Sequence, residues 1–137
     1  MVDRKLIINK LNELNKYLTQ LRKYKGVSRE ELENDLDKLW AVERGLQLSI
    51  QIILDIGNHI LSEKGIVVEN YMDIFKELVK LEVIPEDFGN QIKGMAGFRN
   101  ILVHEYAEVD IDIIIKVLNN SLNDFGKYAE YINNYIE

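Results

Sequence analysis

Cysteine is absent from this chain, proline occurs once and basic charge is in short supply. Without cysteine there is no disulfide, no thiolate nucleophile and none of the common structural zinc sites. Lysine and arginine total 17 against 23 aspartates and glutamates, a net charge of -6. Nucleic-acid affinity comes mainly from neutralising phosphates, so a broad basic binding surface is excluded and any such site must be local. Long apolar runs are missing too, and none approaches the roughly 20 residues that span a bilayer. Met1 to Lys10 mixes charged and apolar residues at helical spacing instead of forming an apolar stretch before a cleavage site, which is not the pattern of a signal peptide. The expected location is therefore the cytoplasm, with no membrane partner. Pro85, the one proline, sits where a helix can start without needing its amide hydrogen.

Of the 137 residues, 47% are hydrophobic and 29% charged, the balance of a globular chain. That length suits one domain with one core, spanning residues 1–137. Leu6, Leu11, Leu14, Leu18 and Leu21 predict a first helix from Asp3 to Tyr24, stopped by Lys25-Gly26. Ser28 and Glu31 have the form of a capping box. An apolar stripe from Leu32 through Ile60 then extends a second helix to about Leu61, near 50 Å long, a length at which helices bend, break or reach a partner. A third helix is expected from Asn70 to Leu81, a fourth from Glu86 to Val103 and a fifth from Asp110 to Tyr135. The run Ile111, Ile113, Ile114, Ile115 has strand-like branching, but Leu122, Phe125, Tyr128 and Ile132 continue a helical period. The architecture implied is an all-α antiparallel bundle of four to five helices.

Arg99-Asn100-Ile101-Leu102-Val103-His104-Glu105-Tyr106 gathers a permanent cation with a planar fork, an amide, an imidazole and a phenol at one helix end. Phosphate chemistry suits that set. Each helical residue advances about 100°, so Arg99 and His104 point roughly 140° apart and do not clasp one phosphate from a continuous helix. Either the helix ends near His104, or a symmetry-related copy supplies the missing group. Gly94 and Gly97, one turn earlier, suggest a close backbone approach, within the subunit or against a second chain. The plainer readings make Arg99 a surface cation paired to Glu105 or Glu108, and His104 a helix-terminal structural residue. Glu43, Gln47, Gln51, Asp55 and His59 form a polar stripe on the second helix, either solvated or lining the cleft that orients these groups. Asp55 and His59 lack a third ligand at diagnostic spacing, so no metal is assigned. Tyr17, Tyr24, Tyr128, Tyr131 and Tyr135, interleaved with Lys16, Arg22, Lys23 and Lys25, fit half-buried helix ends better than a single-strand binding platform.

The pattern Arg-Asn-x-x-x-His-x-Tyr at Arg99 to Tyr106 resembles the HEPN superfamily, and within it the HepT toxins of HepT-MntA toxin-antitoxin pairs. Trp40 to Gln47, Ile50-Gln51, Asp55 to His59 and Gly97-Phe98 support the likeness, which covers about Leu39 to Leu118. It implies a metal-independent endoribonuclease, without a cofactor, that acts on RNA through a composite site at a homodimer interface. Arg99 would hold the scissile phosphate, His104 would act as general acid or base and Asn100 would orient the site. It also implies an MntA-like nucleotidyltransferase partner that uses ATP as AMP donor and silences the toxin by adenylylating Tyr106. A different class remains open: a catalytically silent helical module that binds nucleotide or regulates that partner, or a purely structural dimerisation domain.

Overall fold

A computed structural model describes residues 2–104 and 109–137. Among these the chain forms eight helical segments and no strand. α1 (Arg4–Arg22) starts where the Asp3 carboxylate accepts a hydrogen bond from the Leu6 amide at 3.1 Å. Its Ile7, Leu14, Leu18 and Leu21 are buried; of the other leucines expected on this face, Leu11 is half-buried and Leu6 is exposed, with Ile7 taking its place in the core. α2 (Arg29–Asn34) is capped by Ser28, whose Oγ accepts from the Glu31 amide at 3.1 Å.

The single long helix expected next is broken. Asp35 adopts extended backbone angles and its carboxylate accepts from the Lys38 amide at 3.1 Å, opening α3 (Leu36–Glu63) as a separate helix. A short acidic side chain that bonds a nearby amide competes with helix continuation, and here it wins. Gly65, at φ 73°, closes α3. The Ile66 amide bonds the Leu61 carbonyl and the Gly65 amide bonds that of Ser62, a left-handed terminus that glycine adopts without a Cβ clash.

α4 (Met72–Lys80) follows the expected boundaries within two residues. The fourth expected helix divides at Lys93-Gly94 into α5 (Glu86–Ile92) and α6 (Met95–Val103). The fifth divides at Ser121 into α7 (Ile111–Asn120) and α8 (Leu122–Ile136). The isoleucine-rich run is helical, with Ile114 and Leu118 facing the core. No helix among the described residues is long and apolar enough to cross a membrane.

α3 is the axis of the fold, packed by α1, α4, α6 and α8. Val42, Leu46, Ile50, Ile53, Leu54, Ile56 and Ile60 bury nearly the whole of one side. Tyr128 of α8 belongs to this core rather than to a surface platform: its hydroxyl donates to the Ile53 carbonyl at 3.0 Å and its ring meets Phe75 edge-on at 6.2 Å. Burial drives its phenol pKa well above the ordinary value.

One glycine that the core requires is Gly57. A Cβ there would lie 2.6 Å from Ile74 Cγ2, 3.1 Å from the Tyr128 hydroxyl and 3.2 Å from Leu78 Cδ1. All three neighbours are buried, so they have little room to give. Overpacking of this kind costs about 1–3 kcal/mol, against about 1 kcal/mol of helix propensity recovered. Gly57→Ala is therefore expected to melt several degrees lower in a thermal scan followed by circular dichroism; a variant as stable as the parent would refute the close approach.

Candidate functional site

Arg99 and Asn100 ride on α6, which ends at Val103. His104 leaves the helical conformation (φ -79°, ψ 111°), though its amide still donates to the Ile101 carbonyl at 3.3 Å. The helix thus ends where the geometric argument allows. No hydrogen bond joins the two groups, and they meet different neighbours: Arg99 meets Gln51, Asn100 and Tyr71, while His104 borders a groove that Arg99 does not line.

Arg99 is half-buried against the polar stripe of α3. Its Nε donates to Gln51 Oε1 at 2.9 Å and its Nη1 to Asn100 Oδ1 at 3.2 Å. The guanidinium also lies over the Tyr71 ring, 5.0 Å from the centroid, a cation–π contact. Gln51 is held in turn: its Nε2 donates to Asp55 Oδ1 at 2.8 Å, and Lys10 Nζ stands 3.9 Å from the other Asp55 oxygen. This chain fixes which end of the Gln51 amide meets the arginine. A guanidinium has five N–H donors, of which two are engaged here, so three remain for a bidentate hold on phosphate.

His104 is exposed and borders an open groove of about 940 Å³ between α2, α3 and α7. Glu33, Glu43, Asp110 and Asp112 line the same groove. Its cation among the described residues, Arg29, is already bonded to Glu33 and Asp112 at 2.5 Å each. Burial raises the Glu43 carboxyl above its ordinary pKa. The space beside His104 is therefore acidic, and a phosphate placed there needs a positive charge from elsewhere.

The α3 stripe consequently serves both halves: Glu43 and Gln47 border the histidine groove, while Gln51 and Asp55 hold the arginine. His59 has another task, its Nε2 accepting from the Asp3 amide at 3.3 Å. No group of three His, Asp or Glu residues suited to a metal ion occurs among the described residues. Tyr71, which falls inside the helix expected from Asn70 to Leu81, gave no sign of a functional role, because its contact with Arg99 joins residues far apart in the chain.

Close packing inside the subunit does not explain Gly94 and Gly97, since a Cβ built at either meets nothing within 4 Å. They border a cavity of about 430 Å³ between α6 and α7, beside Ile101 and Ile113, each 43% exposed. Tyr106, Glu105 and Glu108 lie outside the described residues.

Fold and site together define an all-α HEPN-type domain with an arginine braced on its central helix and a histidine at the C-terminal end of the helix that carries that arginine. The chain belongs to the ribonuclease HepT-like family, whose sequence profile matches residues 14–132. It is 31% identical over 133 residues to the tRNA nuclease HepT of Aphanizomenon flos-aquae, an alignment covering 96% of this chain and 90% of that protein. To the mRNA nuclease HepT of Shewanella oneidensis it is 27% identical over 128 residues, 93% and 96% of the two chains. Among solved structures, the tri-AMPylated Shewanella oneidensis HEPN toxin in complex with MNT antitoxin superposes with a TM-score of 0.86 at 26% identity, covering 96% of this chain and 99% of that one.

Proposed function

We propose that this chain is the toxin of a toxin-antitoxin pair, a cytoplasmic, metal-independent endoribonuclease whose active unit is a homodimer. The observation that carries the reading is that Arg99 and His104 border different spaces. Arg99 is braced with donors to spare, whereas His104 stands in an acidic groove without a free cation among the described residues. A second copy solves both problems by bringing Arg99 of one protomer beside His104 of the partner subunit. The uncovered glycine face of α6, with Ile101 and Ile113, is apolar surface available for that contact.

In such a site Arg99 binds the scissile phosphate and stabilises the charge that develops on its oxygens, with Asn100 keeping the guanidinium in place. His104 takes the proton of the RNA 2′-hydroxyl or delivers one to the departing 5′-oxygen. The new O2′–P bond forms as the P–O5′ bond breaks, leaving a 2′,3′-cyclic phosphate and a 5′-hydroxyl. DNA has no 2′-hydroxyl and survives. The partner is an MntA-like nucleotidyltransferase antitoxin that transfers AMP from ATP to Tyr106.

The test is incubation of purified, unmodified protein with cellular RNA in EDTA, beside a His104→Ala variant and a DNA control. Cleavage that yields cyclic phosphate ends, spares DNA and falls by about 10² to 10⁴ in the variant is the expected result. RNA left whole by the unsubstituted protein would sink the proposal.

A further inference from the structure

The braced arginine has a second neighbour besides the phosphate it is proposed to hold. Next to it lies a pocket of about 480 Å³ bordered by Asn58, Glu69, Asn70, Tyr71 and Asn100. Two of these residues touch Arg99 directly: the Tyr71 ring beneath the guanidinium and the Asn100 amide oxygen. Asn58 stands two turns beyond Gln51 on α3, so it shares the face of the helix that braces the arginine.

The chemistry of the lining selects among occupants. No lysine, arginine or histidine borders the pocket, and Glu69 adds a negative charge, so it does not suit a phosphate. An aromatic ring, a buried isoleucine floor at Ile74 and several amides suit a flat heteroaromatic group with donors and acceptors on its edge. Polar capacity is also unspent. Among the described residues the Asn58 side chain makes no hydrogen bond, the Asn100 amide nitrogen is uncommitted and Asn70 uses only its oxygen, accepting from the Asp73 amide at 3.2 Å. The volume falls within the range of small-ligand clefts.

We propose that this pocket seats one unpaired nucleobase of the RNA strand, the base adjoining the phosphate held by Arg99, and thereby sets the sequence preference of cleavage. The assignment rests on the ribonuclease reading above. A base stacked against Tyr71 while the neighbouring phosphate meets Arg99 places the strand with one turn of α3 and the start of α4 as its template. The amides, with the Glu69 carboxylate as a further acceptor, then read the base edge, and the cationic group stays on the phosphate side.

The test uses short single-stranded RNAs covering every dinucleotide step, cleaved by the parent protein, Asn58→Leu and Tyr71→Leu. Tyr71→Leu also strips the stacking partner from Arg99 and slows every substrate; Asn58→Leu leaves the contacts of Arg99 intact and exchanges an exposed helical residue for a good helix former. The readout is the ratio of best to worst dinucleotide, which a general loss of activity or folding does not change. That ratio is expected to narrow about tenfold in Tyr71→Leu and several-fold in Asn58→Leu. A parent enzyme that cleaves without base preference, or variants that keep the parental ratio, would overturn the base pocket while leaving the nuclease reading intact. Absence of cleavage by the parent would overturn both.

Discussion

An equimolar mixture of Arg99→Ala and His104→Ala proteins, each inactive alone, is expected to recover about a quarter of the parental ribonuclease activity. A symmetric dimer has two composite sites, each built from the arginine of one protomer and the histidine of the other. Random exchange makes half of the dimers mixed. In a mixed dimer one site inherits both alanines, while the other inherits an intact Arg99 and an intact His104. Half of the dimers with half of their sites gives the quarter. Had the two residues served one site within a single protomer, no mixture could restore it. The geometry favours exchange: Arg99 is tied back to Gln51 of α3, and His104 opens on a groove whose Arg29 is consumed by Glu33 and Asp112. The check is an RNA cleavage assay after mild unfolding and refolding of the two variants together, with separately refolded variants as controls. A mixture as inactive as its parents would place the site inside one chain and end the composite reading.

The same residues show what a linear reading reaches and where it stops. α1 was legible because its apolar spacing begins and ends with local signals, Asp3 and Gly26, and α4 because Ile74, Phe75 and Leu78 keep helical spacing along its length. The breaks at Asp35, Gly94 and Ser121 were not, because Leu32, Leu36 and Leu39 keep helical spacing straight through Asp35. A stripe of apolar residues records which side faces the core, not whether the backbone between them is continuous. Arg99, Asn100 and His104 could be picked out by chemistry, and the roughly 140° between arginine and histidine was arithmetic on a helix. The brace was half visible: Gln51 and Asp55 stood in a four-residue stripe, but the 48-residue separation between Gln51 and Arg99 hides which group they meet. Gly94 and Gly97 drew notice beside the motif, but close approach inside the subunit is found elsewhere, as at Gly57, whose neighbours Ile74, Leu78 and Tyr128 come from two other helices.

Adenylylation at Tyr106 should abolish the ribonuclease activity, and Tyr106→Phe should escape that control. The phenol oxygen attacks the α-phosphorus of ATP, the bond to the departing pyrophosphate breaks and the tyrosine proton is lost to solvent. The product carries a phosphodiester charge and an adenosine two residues after His104. That histidine is exposed on a groove already lined by Glu33, Glu43, Asp110 and Asp112. A further anion two residues along the chain from His104 is expected to strengthen the repulsion of RNA phosphate, and the adenosine to compete with the strand for space. Charge and bulk act in the same direction, so the loss is expected to exceed about 10²-fold, comparable with removing the histidine itself. Tyr106→Phe keeps the ring and removes the acceptor oxygen, so it should cleave RNA normally whether or not the nucleotidyltransferase and ATP are supplied. The measurement pairs RNA cleavage with mass spectrometry of the peptide containing Tyr106, before and after incubation with the cognate partner and ATP. If Tyr106→Phe is silenced as fully as the parent, control runs through a direct protein contact or another residue, and the modification at Tyr106 is not what stops the enzyme.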